Sequence, residues 1–153
     1  MVERTTHSRA EIEARIEAAF GGATMPRTAA ELTTGGIDGP YVVKHFLGRS
    51  RGEMEAQLLA GLHMEDFRYM TPQAVAYYLP AALRRMLSEP DDAELWIFLS
   101  SCVRDQLGVT WLSAEQRRAL ADWARFMSAA FEVLGGFDGE TAQALALAAE
   151  ASP

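Results

Sequence analysis

Apolar residues recur along this chain at three- and four-residue spacing, and most of these stripes begin behind a capping signal. Ile12, Ile16, Ala19 and Phe20 share one helical face behind Ser8 and Glu11, a pair spaced to satisfy each other's backbone amides at a helix start. Gly21-Gly22 ends that stripe. From Gly21 to Gly39 the sequence is small and polar and reads as an irregular connection, with a turn at Gly35-Gly36-Ile37-Asp38-Gly39. Pro40 to Leu47 supports two readings: Val43, Phe46 and Leu47 suit a helix, whereas Tyr41-Val42-Val43 suits a strand. Ser50 and Glu53 repeat the capping pair ahead of Met54, Leu58, Leu59 and Leu62.

The run from Phe67 to Leu83 is the most distinctive. Thr71 is placed to cap a helix and Pro72 to open it, since the first helical residue needs no amide hydrogen. Val75, Leu79, Ala82, Leu83 and Met86 then form the core face, with Gln73, Arg84 and Arg85 opposite. This phasing puts Tyr78 at the edge of the core face and Tyr77 on the exposed side, beside Pro80, Ala81 and Arg84. Pro80 lies inside the helix, where it removes one hydrogen bond and crowds the carbonyl of Ala76, at roughly 3 kcal/mol in an unadapted helix. A kink between Ala76 and Pro80 is the expectation.

After the linker Glu89-Pro90-Asp91-Asp92, in which Asp91 or Asp92 can cap the next helix, Leu95, Phe98, Leu99 and Cys102 mark a further stripe. Ser113 and Gln116 form a third capping pair, followed by Leu120, Trp123, Ala124, Met127, Phe131 and Leu134, until Gly135-Gly136. Asp138 to Ala151 is alanine-rich and predicts a helix that packs weakly or frays. The predicted architecture is all-α, a single-domain irregular bundle of five to seven helices over 1–153, with 1–7 and 150–153 as loose ends.

Composition changes the picture by exclusion. At 153 residues the chain can bury about 68–70% of its extended surface, enough for a core without staples. One cysteine, Cys102, rules out an intrachain disulfide or a CxxC site and suits a reducing compartment. The N-terminal residues lack the apolar core of a signal peptide, and no segment reaches the about 20 apolar residues of a membrane span. A cytoplasmic protein without a membrane role is the expectation. The net charge of −7 disfavours nucleic acid, and the adjacent pairs Arg84-Arg85 and Arg117-Arg118 read as solvated helix faces rather than phosphate sites.

Phe46 with Gly48, the run Phe67 to Leu83, and Trp111-Leu112-Ser113-Ala114-Glu115-Gln116 through Trp123 together resemble a small family of uncharacterised bacterial proteins. Its members carry an (S/T)-P-E-A-F-x-Y-Y-L-P-A block, a short acidic linker and an L-T-P-E-Q-x-x-A helix start. Gln73 stands where the block has glutamate and Ala114 where the second motif has proline. The resemblance implies a mostly helical single domain and supplies no activity.

His45, His63, Glu65 and Asp66 could supply two imidazoles and two carboxylates, but their spacing forms no HExxH, HxH or paired Glu-x-x-His ligand set. They read as a polar turn. Cys102 lies on an apolar stripe and reads as a small hydrophobe rather than a nucleophile. No catalytic, metal or cofactor residue is assigned. The expected role is a non-enzymatic protein–protein interaction domain of the immunity or adaptor kind, with Tyr77, Arg84, Glu89, Asp91, Asp92 and Glu94 as its contact surface. The alternative is a small-ligand-binding protein or enzyme with a site near Pro80, using Tyr77 or Tyr78 with His45, His63 or Glu65. An exposed apolar face would instead point to a homo-oligomer.

Overall fold

The computed structural model describes residues 7–58, 64–109, 111–135 and 138–151, with backbone alone at 57, 58 and 64. Among them the apolar stripes become eight α-helices and no strand. These are α1 (Arg9–Phe20), α2 (Ala29–Leu32), α3 (Gly39–Phe46), α4 (Arg51–Leu58), α5 (Pro72–Ser88), α6 (Ala93–Leu107), α7 (Ala114–Val133) and α8 (Gly139–Ala151), with a 3-10 turn at Met64–Tyr69. The all-α bundle is the one the stripes predict, with more short helices than the pattern implies.

Both halves of the Ser8/Glu11 and Ser113/Gln116 capping boxes form, and Ser50 and Glu53 exchange the same two bonds. The apolar positions after Met54 fall at the edge of, or outside, the described residues. Pro40 to Leu47 resolves as helix: burying Val42 and Phe46, four residues apart, requires the helical period. The stretch that reads as irregular holds the one-turn α2, which Thr28 starts by accepting from the Glu31 amide at 3.2 Å. Behind it, Thr33 forms an isolated antiparallel bridge to Met70, with bonds from the Thr34 amide to the Tyr69 carbonyl and from the Thr71 amide to the Leu32 carbonyl, both 3.0 Å. This bridge fixes where α5 begins.

Most of the buried apolar residues lie on α5, α6 and α7. Trp96 and Trp123 lie 5.7 Å apart, and Phe131 meets Trp96 edge-on at 4.8 Å. Leu95, Leu99 and Cys102 of the predicted stripe are buried, Trp96 and Val103 join them, and Phe98 is only partly buried. Helix α8 corrects the expectation of weak packing. Ala142, Leu145, Ala146 and Ala149 are buried, and among the described residues α8 makes the most extensive helix–helix contact, along α7. Alanines let two backbones approach closely, so a sequence with little pattern packs well. Asp138 sets the entry to α8 with a left-handed backbone (φ 46°), while its carboxylate accepts from the Trp96 indole and from Thr141.

Candidate functional site

The N-terminal half of α5 places the predicted tyrosines differently from expectation. The helix continues through Pro80. At Pro80 the helix has no N–H to give to the Ala76 carbonyl, and the next carbonyl, that of Tyr77, accepts from Arg51 Nε at 2.7 Å. The same guanidinium donates to the Phe20 carbonyl at 3.3 Å, stands 3.7 Å from the Glu17 carboxylate, and lies 4.7 Å above the centre of the Tyr77 ring. The Arg51 amide donates to the Tyr77 hydroxyl at 3.0 Å. Tyr77 is therefore half-buried in a knot between α1, α4 and α5, not an exposed contact residue. Arg51 thus ties the Tyr77 carbonyl, hydroxyl and ring to α4.

Tyr78 is not at an edge; it is fully buried. Its hydroxyl donates toward the Arg49 carbonyl at 2.7 Å and the Phe46 carbonyl at 3.0 Å, and its ring packs on Phe46 at 4.9 Å. Burial pushes its hydroxyl up to about 12, because the phenolate would lose solvation. Cys102 is buried as well, and desolvation pushes its thiol up to about 12. That is the opposite of the electropositive setting a reactive thiolate needs.

The predicted contact surface divides in two. Arg84 is held by Glu55 at 2.8 Å, and Glu89 by Arg85 at 2.6 Å. Asp92 caps α6 by accepting from the Leu95 amide at 3.0 Å. Asp91 and Glu94 remain exposed, with no ion pair among the described residues. On α6 the buried residues Leu95, Trp96, Leu99, Cys102 and Val103 occupy one arc, which leaves Ile97 in the middle of the opposite one; it is 61% exposed. The sequence signal is that Ile97 is out of phase with the stripe, but only the tertiary packing shows that nothing covers it.

His45 and Asp66 do come together, Nδ1 to Oδ2 at 2.6 Å, joining α3 to the 3-10 turn. Glu65 is exposed, and His63 lies outside the described residues. No group of three or more potential ligands that could hold a metal occurs among the described residues. Arg117, expected to be solvated, is buried: its Nη2 donates to the Leu107 carbonyl at 3.2 Å and the Ala148 carbonyl at 3.4 Å. Those carbonyls end α6 and approach the end of α8, where the helix dipoles favour a cation. Arg118 faces solvent as expected.

Among the described residues, two open grooves stand out on the surface. One, of about 450 Å³, runs between the C-terminal end of α1 and the N-terminal turns of α5 and α7, lined by Ala19, Ala23, Gln73, Ala76, Trp111 and Gln116 among others. The other, of about 490 Å³, includes Phe67, Arg68, Cys102 and Asp105. Neither gathers Tyr77, Tyr78, His45 or Glu65.

Compared with known proteins, the chain matches no family model, no curated protein and no solved structure. Among the described residues no helix is long and apolar enough to cross a membrane.

Proposed function

We propose that this chain is a non-enzymatic protein–protein interaction domain, of the immunity or adaptor kind, that docks a basic partner through the corner between α5 and α6. The observation that carries this reading is Ile97, a large apolar side chain at the centre of the solvent face of α6. Glu94, one turn before it, and Asp91, just ahead of the helix, are both exposed. An apolar anchor beside acidic residues gives a docking surface both affinity and partner choice. Asp91 and Glu94 would speed the approach of a basic surface, and Ile97 would lose its contact with water on docking.

The contact set thus narrows from the sequence-based one. Tyr77, Arg84 and Asp92 support the fold, and Glu89 is half-engaged by Arg85. Pairing of two copies at this corner would set acid against acid, so a different, basic protein fits better than a homo-oligomer. The test is affinity capture from the native lysate at low and moderate salt. A stoichiometric basic partner that is released as salt rises supports the reading. Absence of any partner at either salt, or a partner indifferent to salt, counts against it.

A further inference from the structure

The groove between α1, α5 and α7 has a composition unlike the rest of this acidic surface: the residues that line it include no charged side chain. Trp111 forms part of its wall, and the indole is held in place by donating from Nε1 to Gln106 Oε1 at 2.8 Å. Two carboxamides flank it, and each is oriented by using only one of its ends. Gln73 Nε2 donates to the Thr24 carbonyl at 3.3 Å, which leaves Gln73 Oε1 as an acceptor without a protein partner among the described residues. Gln116 Oε1 accepts the Ser113 amide at 2.9 Å in the capping box, which leaves Gln116 Nε2 as a donor in the same condition. Ala76, the residue whose carbonyl loses its helical donor to Pro80, lines the same groove.

From this arrangement we infer that the groove is a binding site for a small neutral ligand carrying a secondary amide beside an apolar face. The ligand N–H donates to Gln73 Oε1, its carbonyl accepts from Gln116 Nε2, and its apolar face lies on Trp111. Ala19, Ala23 and Ala76 line the groove with small apolar side chains that a methyl group would contact. The lack of charge in the lining selects against ionic ligands, which would exchange water for no counter-charge. An N-acetylated sugar and an acetylated peptide unit share this chemistry. The site is separate from the α5–α6 corner, and its occupancy does not depend on the interaction reading.

The test is amide NMR of the isotope-labelled protein, titrated in parallel with N,N′-diacetylchitobiose and with N-acetylglycine N-methylamide. The expected result is a saturable shift of the Trp111 indole N–H and of the Gln73 and Gln116 side-chain amides with at least one probe. Which probe acts identifies the source. Gln116→Glu keeps an oxygen to cap α7 but exchanges the donor for a charged acceptor, so it should retain the fold and weaken binding at least about tenfold, the effect of one lost hydrogen bond. Gln73→Leu, which removes the acceptor, is the companion variant and carries the same expectation. Silence with both probes, shifts located elsewhere, or full affinity in both variants would overturn the assignment.

Discussion

Around the first half of α5, Tyr77, Tyr78 and Arg51 direct their polar atoms at main-chain groups of α1, the α3–α4 connection, the start of α4 and α5 itself. Beyond Ser88 the same chain presents Asp91, Glu94 and Ile97 to water with no partner among the described residues. The tyrosine region suggests function in sequence and is structural in the fold. The α5–α6 corner has the sequence of an ordinary linker and helix start, yet it presents Ile97, the exposed apolar side chain on which the proposed docking rests. Aromatic and proline residues attract attention because they are rare, yet Tyr77 and Tyr78 hold main-chain groups of other elements, a structural reason for their presence.

The contrast can be broken or sharpened by substitution. The largest effect is expected at Tyr78. Tyr78→Ala removes a fully buried ring from between Phe46 and Tyr77 and should cost about 3–5 kcal/mol in chemical denaturation. Arg51→Ala should cost about 1.5–3 kcal/mol, because the Tyr77 and Phe20 carbonyls lose a charged donor. If Arg51→Ala were as stable as the parent, the knot around Pro80 would have no structural importance.

Alkaline pH probes the same region. Tyr78 and Cys102 have folded-state pKa values raised from 10.0 and 9.0 to about 12, so the unfolded chain releases these protons first as pH rises. Their contribution is whole below pH 9.0 and is lost progressively up to about pH 12, with stability falling through that window. Urea titrations across it should show a shallower fall in Tyr78→Phe and in Cys102→Ala than in the parent.

The acids of the corner should separate by role. Asp92→Ala should cost about 1 kcal/mol through loss of the α6 cap. Asp91→Ala and Glu94→Ala should stay within about 0.5 kcal/mol of the parent, as expected of exposed residues without partners. Equal losses at all three positions would make the corner a structural network rather than a docking surface.

Much of the fold is legible in the sequence because it depends on local signals. Ser8, Ser50, Thr71, Asp92 and Ser113 cap their helices through bonds that span only three residues. What the sequence hides depends on contacts distant along the chain. Arg117 is buried because the ends of α6 and α8 converge on it, Tyr77 is covered because Arg51 reaches it from another helix, and the groove at Trp111 is assembled from three helices. The α8 alanines carry almost no pattern to read, although they pack along the longest helix. Ile97 is hidden for a related reason. An isoleucine out of phase with its stripe is covered or uncovered according to the neighbouring helices, which periodicity does not report.

The central claim is that docking resides in the α5–α6 corner and not in the tyrosine pair. The most direct measurement compares partner capture by three proteins: the parent, a corner variant combining Asp91→Lys, Glu94→Lys and Ile97→Asp, and Tyr77→Phe. The account predicts that the corner variant, still folded, loses the partner while Tyr77→Phe keeps it. Retention by the corner variant, with loss in Tyr77→Phe, would contradict it.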